Sequence, residues 1–277
     1  MPPVSELCTH LVGPLCTAIP ATQGPLPAHL RRSWQSSDPL LRQHRIRYLQ
    51  LGGDTWNRCG PGWLNVDANY DVGDGAPSAN VIATDDTDRK IMRHEVSAHS
   101  RLPFANNSFQ LVYSEHMLEH MLPVKGGGVN FLSEAYRVLV PGGVLRIVTP
   151  DLAKYVCSFV EPSNTFLERH GERFQPMQLL GNAKGGITRA GVFNNIFRNY
   201  GHMWIYDFDE LRHAVHTAGI DPSLACRSSR NGRGMPPWAS QVLRRANEPR
   251  NSTQTCWLDQ AVRKDESMYV LLIKPLV

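Results

Sequence analysis

The sequence predicts an α/β fold: a doubly wound sheet, mostly parallel, with helices on both faces. Three observations carry this. Short, almost continuous apolar runs recur along the chain, each bounded by glycine, proline or a polar break. Between them lie segments whose apolar residues repeat with helical spacing. The two kinds alternate, as in sheets whose strands are linked by crossover helices.

Residues 1–27 hold six prolines and no steady period, and read as a loose arm. A short helix is expected from about Ala28 to His44. Ile46–Leu51 (IRYLQL) reads as the first strand and runs into Gly52-Gly53. Trp63–Val66 is the second and ends at Asp67. Phe109–Tyr113 (FQLVY) is the next, ending at Ser114. Val144–Val148 (VLRIV) follows the breaker Pro141-Gly142-Gly143, and Tyr269–Ile273 (YVLLI) comes last. In 129–139, Phe131, Leu132, Ala135, Val138 and Leu139 share one helical face. In 208–218, Leu211, Val215 and Ala218 form an inner stripe. Asp207 stands where a cap is needed, Glu210 completes a capping-box pattern, and Gly219 closes the helix. Residues 156–200 break the alternation and read as an inserted cap or lid. The expected organisation is an irregular arm and short helix over 1–40 and one domain over 41–277 that carries this insertion.

Composition narrows the class. The chain has 277 residues, 42% apolar and 19% charged, with a formal charge of +4. Its arginines are scattered rather than gathered on one stripe, so no nucleic-acid partner is expected. No apolar run reaches the roughly 18 residues of a membrane span. The first twenty residues include an acid and no early Lys or Arg, unlike a secretory leader. Six cysteines at 8, 16, 59, 157, 226 and 256 form no C-x-x-C pair. Free thiols in a reducing, cytoplasmic setting are therefore expected.

In an open α/β sheet, ligands sit beyond the carboxyl ends of the strands. Gly52 and Gly53 would let backbone approach a ligand there, and Asp67 could accept both hydroxyls of a ribose. Read in order, YLQLGG, PGWLNVDANY, LPFANNSFQLVYSEHMLEHM, FLSEAYRVLVPGGVLRIVTPDLAKYV and YGHMWIYDFDEL resemble the class I S-adenosylmethionine-dependent methyltransferases. The likeness is to the branch with GW-NVD and EH--EH motifs, over about 46–155 and 200–277. It implies a Rossmann-like sheet of seven strands with an antiparallel last strand. It also implies S-adenosyl-L-methionine as cofactor. Gly52 and Gly53 would line its methionine part and Asp67 would hold the ribose. Glu95, in the stretch from His94 to Leu102, would lie near the adenine. Ser114, Glu115 and His116 would flank the cofactor. The sequence departs from the pattern at Gln50, where an acid is usual, and at Asp54, where a glycine is usual. Asp54 is therefore a candidate for the missing negative charge, or else a helix cap.

The expected reaction is methyl transfer by in-line displacement to a small-molecule or sugar-like acceptor, which needs alignment and exclusion of water more than a fixed base. Candidates at the acceptor are His116, Asp151, His202 and Tyr206. Asp151 could instead cap the helix that starts at Leu152, and His202 and Tyr206 could simply pack with Trp204 and Phe208. Phe193, Phe197, Arg198 and Tyr200 either line the pocket or form the insertion's core. Two other readings compete: a degenerate cofactor-binding regulator, supported by the altered glycine turn, and a zinc hydrolase. The second rests on His116-Met-Leu-Glu119-His120, which spells H-x-x-E-H. In the methyltransferase reading Glu119 and His120 are structural, and no metal is assigned.

Overall fold

The computed structural model describes residues 27–31, 33–53, 60–70, 81–85, 88–95, 100–161, 163–171, 188–228, 237–246 and 265–276. Their strands are β1 (Tyr48–Leu51), β2 (Trp63–Asp67), β3 (Ala83–Thr84), β4 (Lys90–Arg93), β5 (Phe109–Glu115), β6 (Leu139–Pro150), β7 (Ala225–Arg227) and β8 (Ser267–Ile273). They form one sheet in the order β3-β4-β2-β1-β5-β6-β8-β7. Neighbours from β4 to β6 pair in parallel. The last strand in the chain, β8, lies antiparallel between β6 and β7. Setting aside the two-residue edge strand β3, this is the seven-stranded sheet with an antiparallel last strand that the sequence implies.

Every residue of β1, β2, β5 and β8 is buried. That explains the unbroken apolar runs, since alternate residues face two different cores. On one face Leu49, Leu51, Val66, Val112 and Ile147 pack against α2 (Gly128–Arg137) and α5 (Phe208–Thr217). On the other, Tyr48, Tyr113, Val144 and Leu271 meet Ala239 and Val242 of α6 (Pro237–Ala246). Trp63 Nε1 donates to the Ala246 carbonyl at 2.7 Å and ties the end of α6 to the sheet. A third, smaller core gathers Tyr155 of α3 (Leu152–Val160), Phe166, Leu167, Val192 and Ile196 of α4 (Arg189–Arg198), and Ile205.

Several expectations change. The region Ala28–His44 is not one helix: a 3-10 turn at Ala28–Leu30 and the five-residue α1 (Pro39–Gln43) flank irregular chain. Asp38 caps α1 by accepting from the Leu40 and Leu41 amides. Pro141-Gly142-Gly143 does not precede its strand but lies within β6, where the register with β5 shifts. Asp207 caps α5 as expected, accepting from the Glu210 amide at 2.8 Å. Glu210 does not reach back; its Oε1 accepts from Trp204 Nε1 at 3.1 Å, so half of the capping box is replaced by a tertiary bond. In the small third core Val192 and Ile196 are buried, while Phe197 and Tyr200 are exposed.

The cysteine reading is corrected as well. Cys157 and Cys226 each carry a disulfide bond, so neither described cysteine is a free thiol, and the other four cysteines lie outside the described residues. Sequence spacing carries little information about which cysteines a fold brings together. With the free thiols goes the argument from cysteine usage for a cytoplasmic setting. Among the described residues no helix is long and apolar enough to cross a membrane.

Asp151 does not cap α3; it makes no side-chain bond to that helix. It is fully buried and accepts from Arg227 Nη2 on β7, an ion pair that joins the end of β6 to the sheet edge. Removing one partner of a buried pair strands the other charge, so Arg227→Met is expected to cost about 3–5 kcal/mol in urea unfolding. The double variant Arg227→Met with Asp151→Leu should recover most of that loss. A double variant as unstable as the single would contradict this account.

Candidate active site

From β1 the chain moves outward to β2 and β4, then returns to place β5 on the opposite side of β1. The sheet therefore diverges between β1 and β5, and the carboxyl ends at such a divergence are where doubly wound folds bind ligands. Gly52, Asp67 and Ser114–His116 stand at this end on neighbouring strands. Two cavities of about 460 and 390 Å³ lie at the opposite end, lined by residues such as His29 and Pro141, or Arg45 and Gly62, and are remote from these groups.

Gly52 has a φ of +71°, and a Cβ there would stand 2.5 Å from Met117 Cγ. A Cβ on Gly53 would meet Tyr70 Oη at 2.7 Å and Gln50 Nε2 at 2.8 Å. The positive φ holds position 52 to glycine, whereas at 53 a side chain would have to displace the ends of Tyr70 and Gln50. Gln50, the departure noted in the sequence, is buried beneath this turn. Asp67 Oδ1 accepts from the Asn69 amide at 3.0 Å, which fixes its carboxylate at the end of β2. Glu95 lies exposed just beyond β4, and Ser114 Oγ is buried without a hydrogen-bond partner. Glu115 Oε2 accepts from Tyr113 Oη at 2.9 Å on the α6 face of the sheet. Asp54 and residues 96–99 lie outside the described residues.

His116 ends β5 in the left-handed region, at φ +50°, and turns the chain into a 3-10 turn at Leu118–His120. The turn has three residues, so His116 and His120 do not share a helical face. The geometry behind the H-x-x-E-H reading is absent. Instead His116 lies between two carboxylates. Its Nδ1 is 3.0 Å from Glu119 Oε1, and its Nε2 is 3.9 Å from Glu266 Oε1 and 2.7 Å from Ser267 Oγ. The Nδ1–Oε1 contact misses hydrogen-bond direction, leaving both atoms without a hydrogen-bond partner.

Glu119 is the residue that sequence reasoning undervalued. It is fully buried, and its Oε2 accepts from Thr149 Oγ1 at 3.0 Å. Its backbone carbonyl accepts from the amides of Met203 and Trp204, which docks the segment after α4 onto the 3-10 turn. Burial alone would raise its carboxyl, but the adjacent His116 and, less strongly, His202 outweigh that and hold it at about 2. His202 Nε2 is 4.0 Å from Glu119 Oε1, and the His120 and His202 rings meet edge-on with centroids 5.0 Å apart. Burial pushes His202 below the ordinary imidazole value against the pull of Glu119.

The four expected acceptor-side groups divide. The structure brings His116 and His202 together around Glu119. Asp151 is engaged with Arg227. Tyr206 lies in the main core, where burial pushes its phenol up, so it keeps its proton and is no ready base. A second polar group is invisible in the sequence. Glu266 Oε2 accepts from Tyr155 Oη at 2.9 Å and is 3.5 Å from His170 Nε2, while Lys154 Nζ donates to the Ser267 carbonyl at 2.6 Å. Glu266 and Ser267 are more than 90 residues from these partners, and no motif announces them.

Comparison with known proteins bears on the class. Residues 59–147 match the family described as "Methyltransferase domain". This stretch runs from just before β2 into β6 and includes Asp67, Glu95, Ser114, Glu115 and His116, so it is similar to methyltransferase domains across the centre of the sheet. No curated protein matches the chain. Among solved structures it is similar to a Haloferax volcanii complex between the Trm112 methyltransferase activator and a methyltransferase, at 14% identity, 88% and 90% coverage of the two chains and a TM-score of 0.39. It is also similar to SAM-dependent methyltransferases from Thermotoga maritima (12%, 82% and 82%, 0.36) and Archaeoglobus fulgidus (11%, 83% and 86%, 0.37). Likeness this distant says nothing about substrate.

The depressed Glu119 carboxyl makes a pH prediction. Its folded value of about 2 lies below the ordinary 4.5, so its contribution is fully present above pH 4.5 and lost as pH falls through 2. The stake is on the order of 3 kcal/mol at about 1.4 kcal/mol per unit. Glu119→Gln should flatten the dependence of unfolding free energy on pH across that window. A slope identical to the parent's would contradict the assignment.

Proposed function

We propose that this protein transfers a methyl group from S-adenosyl-L-methionine to a small-molecule acceptor. One observation carries the reading. The divergence point of the sheet brings Gly52, Asp67 and Ser114–His116 to one edge, within or beside the stretch that resembles methyltransferase domains. The residues present suit the cofactor. A Cβ at Gly52 or Gly53 would crowd Met117, Tyr70 and Gln50, Asp67 offers a fixed carboxylate to a ribose, and the buried Ser114 hydroxyl has no hydrogen-bond partner among the described residues. Glu95 stands where an adenine amino group would be read, and Asp54 and Glu115 are the further acidic groups for the cofactor's positive end. When bound, S-adenosyl-L-methionine supplies an electrophilic methyl on a sulfonium, open to in-line displacement.

The chain's own residues prepare the acceptor side. His116 and His202 face Glu119 under the segment 200–206, and the exposed side chains of Tyr200, Met203 and Trp204 form an apolar rim beside them. Such a rim exchanges water for the body of a small, partly apolar or sugar-like acceptor and leaves its polar atom to the histidines. The small core around α3 and α4 serves as the cap over this face, in keeping with an insertion at about 156–200. The scattered basic charge favours no nucleic-acid partner.

Asp67→Ala should weaken binding of S-adenosyl-L-methionine about 10- to 100-fold by calorimetry while leaving cooperative melting intact, as expected for lost hydrogen bonds to a charged group. Methyl-labelled cofactor incubated with a metabolite extract should yield a labelled small product, identified by mass spectrometry. Label found only in intact RNA or protein would overturn the acceptor class, and undiminished binding by Asp67→Ala would overturn the placement of the ribose.

A further inference from the structure

We propose that Glu119, His120 and His202 form a binding site for one divalent transition-metal ion, with zinc the best match, at the face assigned to the acceptor. One ligand atom from each of the three lies within 4.8 Å of the others. The set is not the H-x-x-E-H pair of histidines. It joins two residues of the 3-10 turn to one from the segment after α4, some eighty residues away.

Three features favour an ion over a purely structural cluster. First, Glu119 is fully buried, and while Thr149 satisfies Oε2, Oε1 accepts no aligned hydrogen bond: His116 Nδ1 stands 3.0 Å away but out of hydrogen-bond direction. A buried carboxylate oxygen that lacks an aligned hydrogen bond is costly, and a cation bound to it would lower the cost.

Second, the tautomers point the right way. His202 Nδ1 is 2.7 Å from the Ile196 carbonyl, and His120 Nδ1 is 3.3 Å from the Gly201 carbonyl. A carbonyl can only accept, so Nδ1 carries the proton in each ring, and in the neutral form of either ring Nε2 keeps its lone pair. Backbone carbonyls orient zinc-binding imidazoles in this same manner. His202 Nε2 then faces Glu119 Oε1 across 4.0 Å, lone pair against lone pair. An ion with bonds of about 2.1 Å closes that gap with little movement.

Third, the donor chemistry selects the ion. Two imidazoles and one carboxylate suit zinc or another borderline transition metal, whereas calcium and magnesium favour all-oxygen sites. Three protein ligands leave a coordination position open; the Glu119 and His202 side chains are buried, and the half-buried His120 is the side from which solvent and a small acceptor would reach it.

A hydroxyl bound at that open position would become far more acidic and release its proton to water, which prepares an oxygen nucleophile at neutral pH. This role rests on the methyl-transfer reading and narrows its acceptor to a hydroxylated small molecule. The metal site itself does not depend on it.

The test uses the full chain without cofactor. After equilibrium dialysis against zinc and removal of free metal, elemental analysis should find one zinc per chain. His120→Ala and His202→Ala should each lower zinc affinity at least about tenfold, while His213→Ala, an exposed control on α5, should not. Cooperative melting establishes that each variant is folded, and calorimetry with S-adenosyl-L-methionine reads the cofactor site separately. A folded parent protein that retains no zinc overturns the proposal, whether or not it binds the cofactor, and identifies the gap beside Glu119 as water-bridged. Stoichiometric zinc that persists in both histidine variants overturns it equally. Zinc bound as expected by a protein that ignores S-adenosyl-L-methionine would leave the site standing and remove the methyl-transfer reading.

Discussion

Strand β5 is the constraint on which the architecture turns. It pairs in parallel with β1 on one side and β6 on the other, and all seven of its residues are buried. A strand enclosed on four sides has one register and one direction available to it. Its end therefore delivers Ser114, Glu115 and His116 to a fixed place beside the Gly52 turn. The positive φ of His116 then bends the chain immediately, so Glu119 points back under the sheet end instead of continuing outward. The position of the chemistry follows from the pairing of one strand.

Around Glu119 the protein accepts a cost that a purely structural core would avoid. A carboxylate with no exposure survives as an ion only when cations or donors surround it. Thr149 and His116 provide that environment, and the amides of Met203 and Trp204 bind the same residue's carbonyl. Residues from β5, β6 and the segment after α4 thus converge on one residue. The same convergence holds the rim residues Met203 and Trp204 in place, which links the electrostatics of the interior to the surface on which an acceptor would rest.

Much of the fold was legible in the sequence. IRYLQL, WLNV, FQLVY, VLRIV and YVLLI mark five strands because burial on both faces removes the polar alternation that would disguise them. Short edge elements such as Ala83–Thr84 and Ala225–Arg227 carry no such mark. The glycine turn and Asp67 were readable because strand ends are where such folds bind ligands. The acceptor side was only half readable. His116 and His202 could be named from their motifs, but Tyr206 proved to be a core residue and Asp151 one half of an ion pair. The same local pattern serves packing, capping or chemistry, and only the neighbours decide which.

The sequence by itself determined the alternation of strands and helices, the turns that glycine alone permits, and the acidic residue at the end of the second strand. These depend on local conformational preference and on the period of burial. Tertiary structure alone decided that Glu119 meets His202, that Glu266 approaches His116 and that Arg227 neutralises Asp151. It also decided that Cys157 and Cys226 each carry a disulfide bond. Each of these depends on distance through space between residues far apart in the chain, and electrostatic and covalent partners leave no periodic trace in sequence by which that distance could be read.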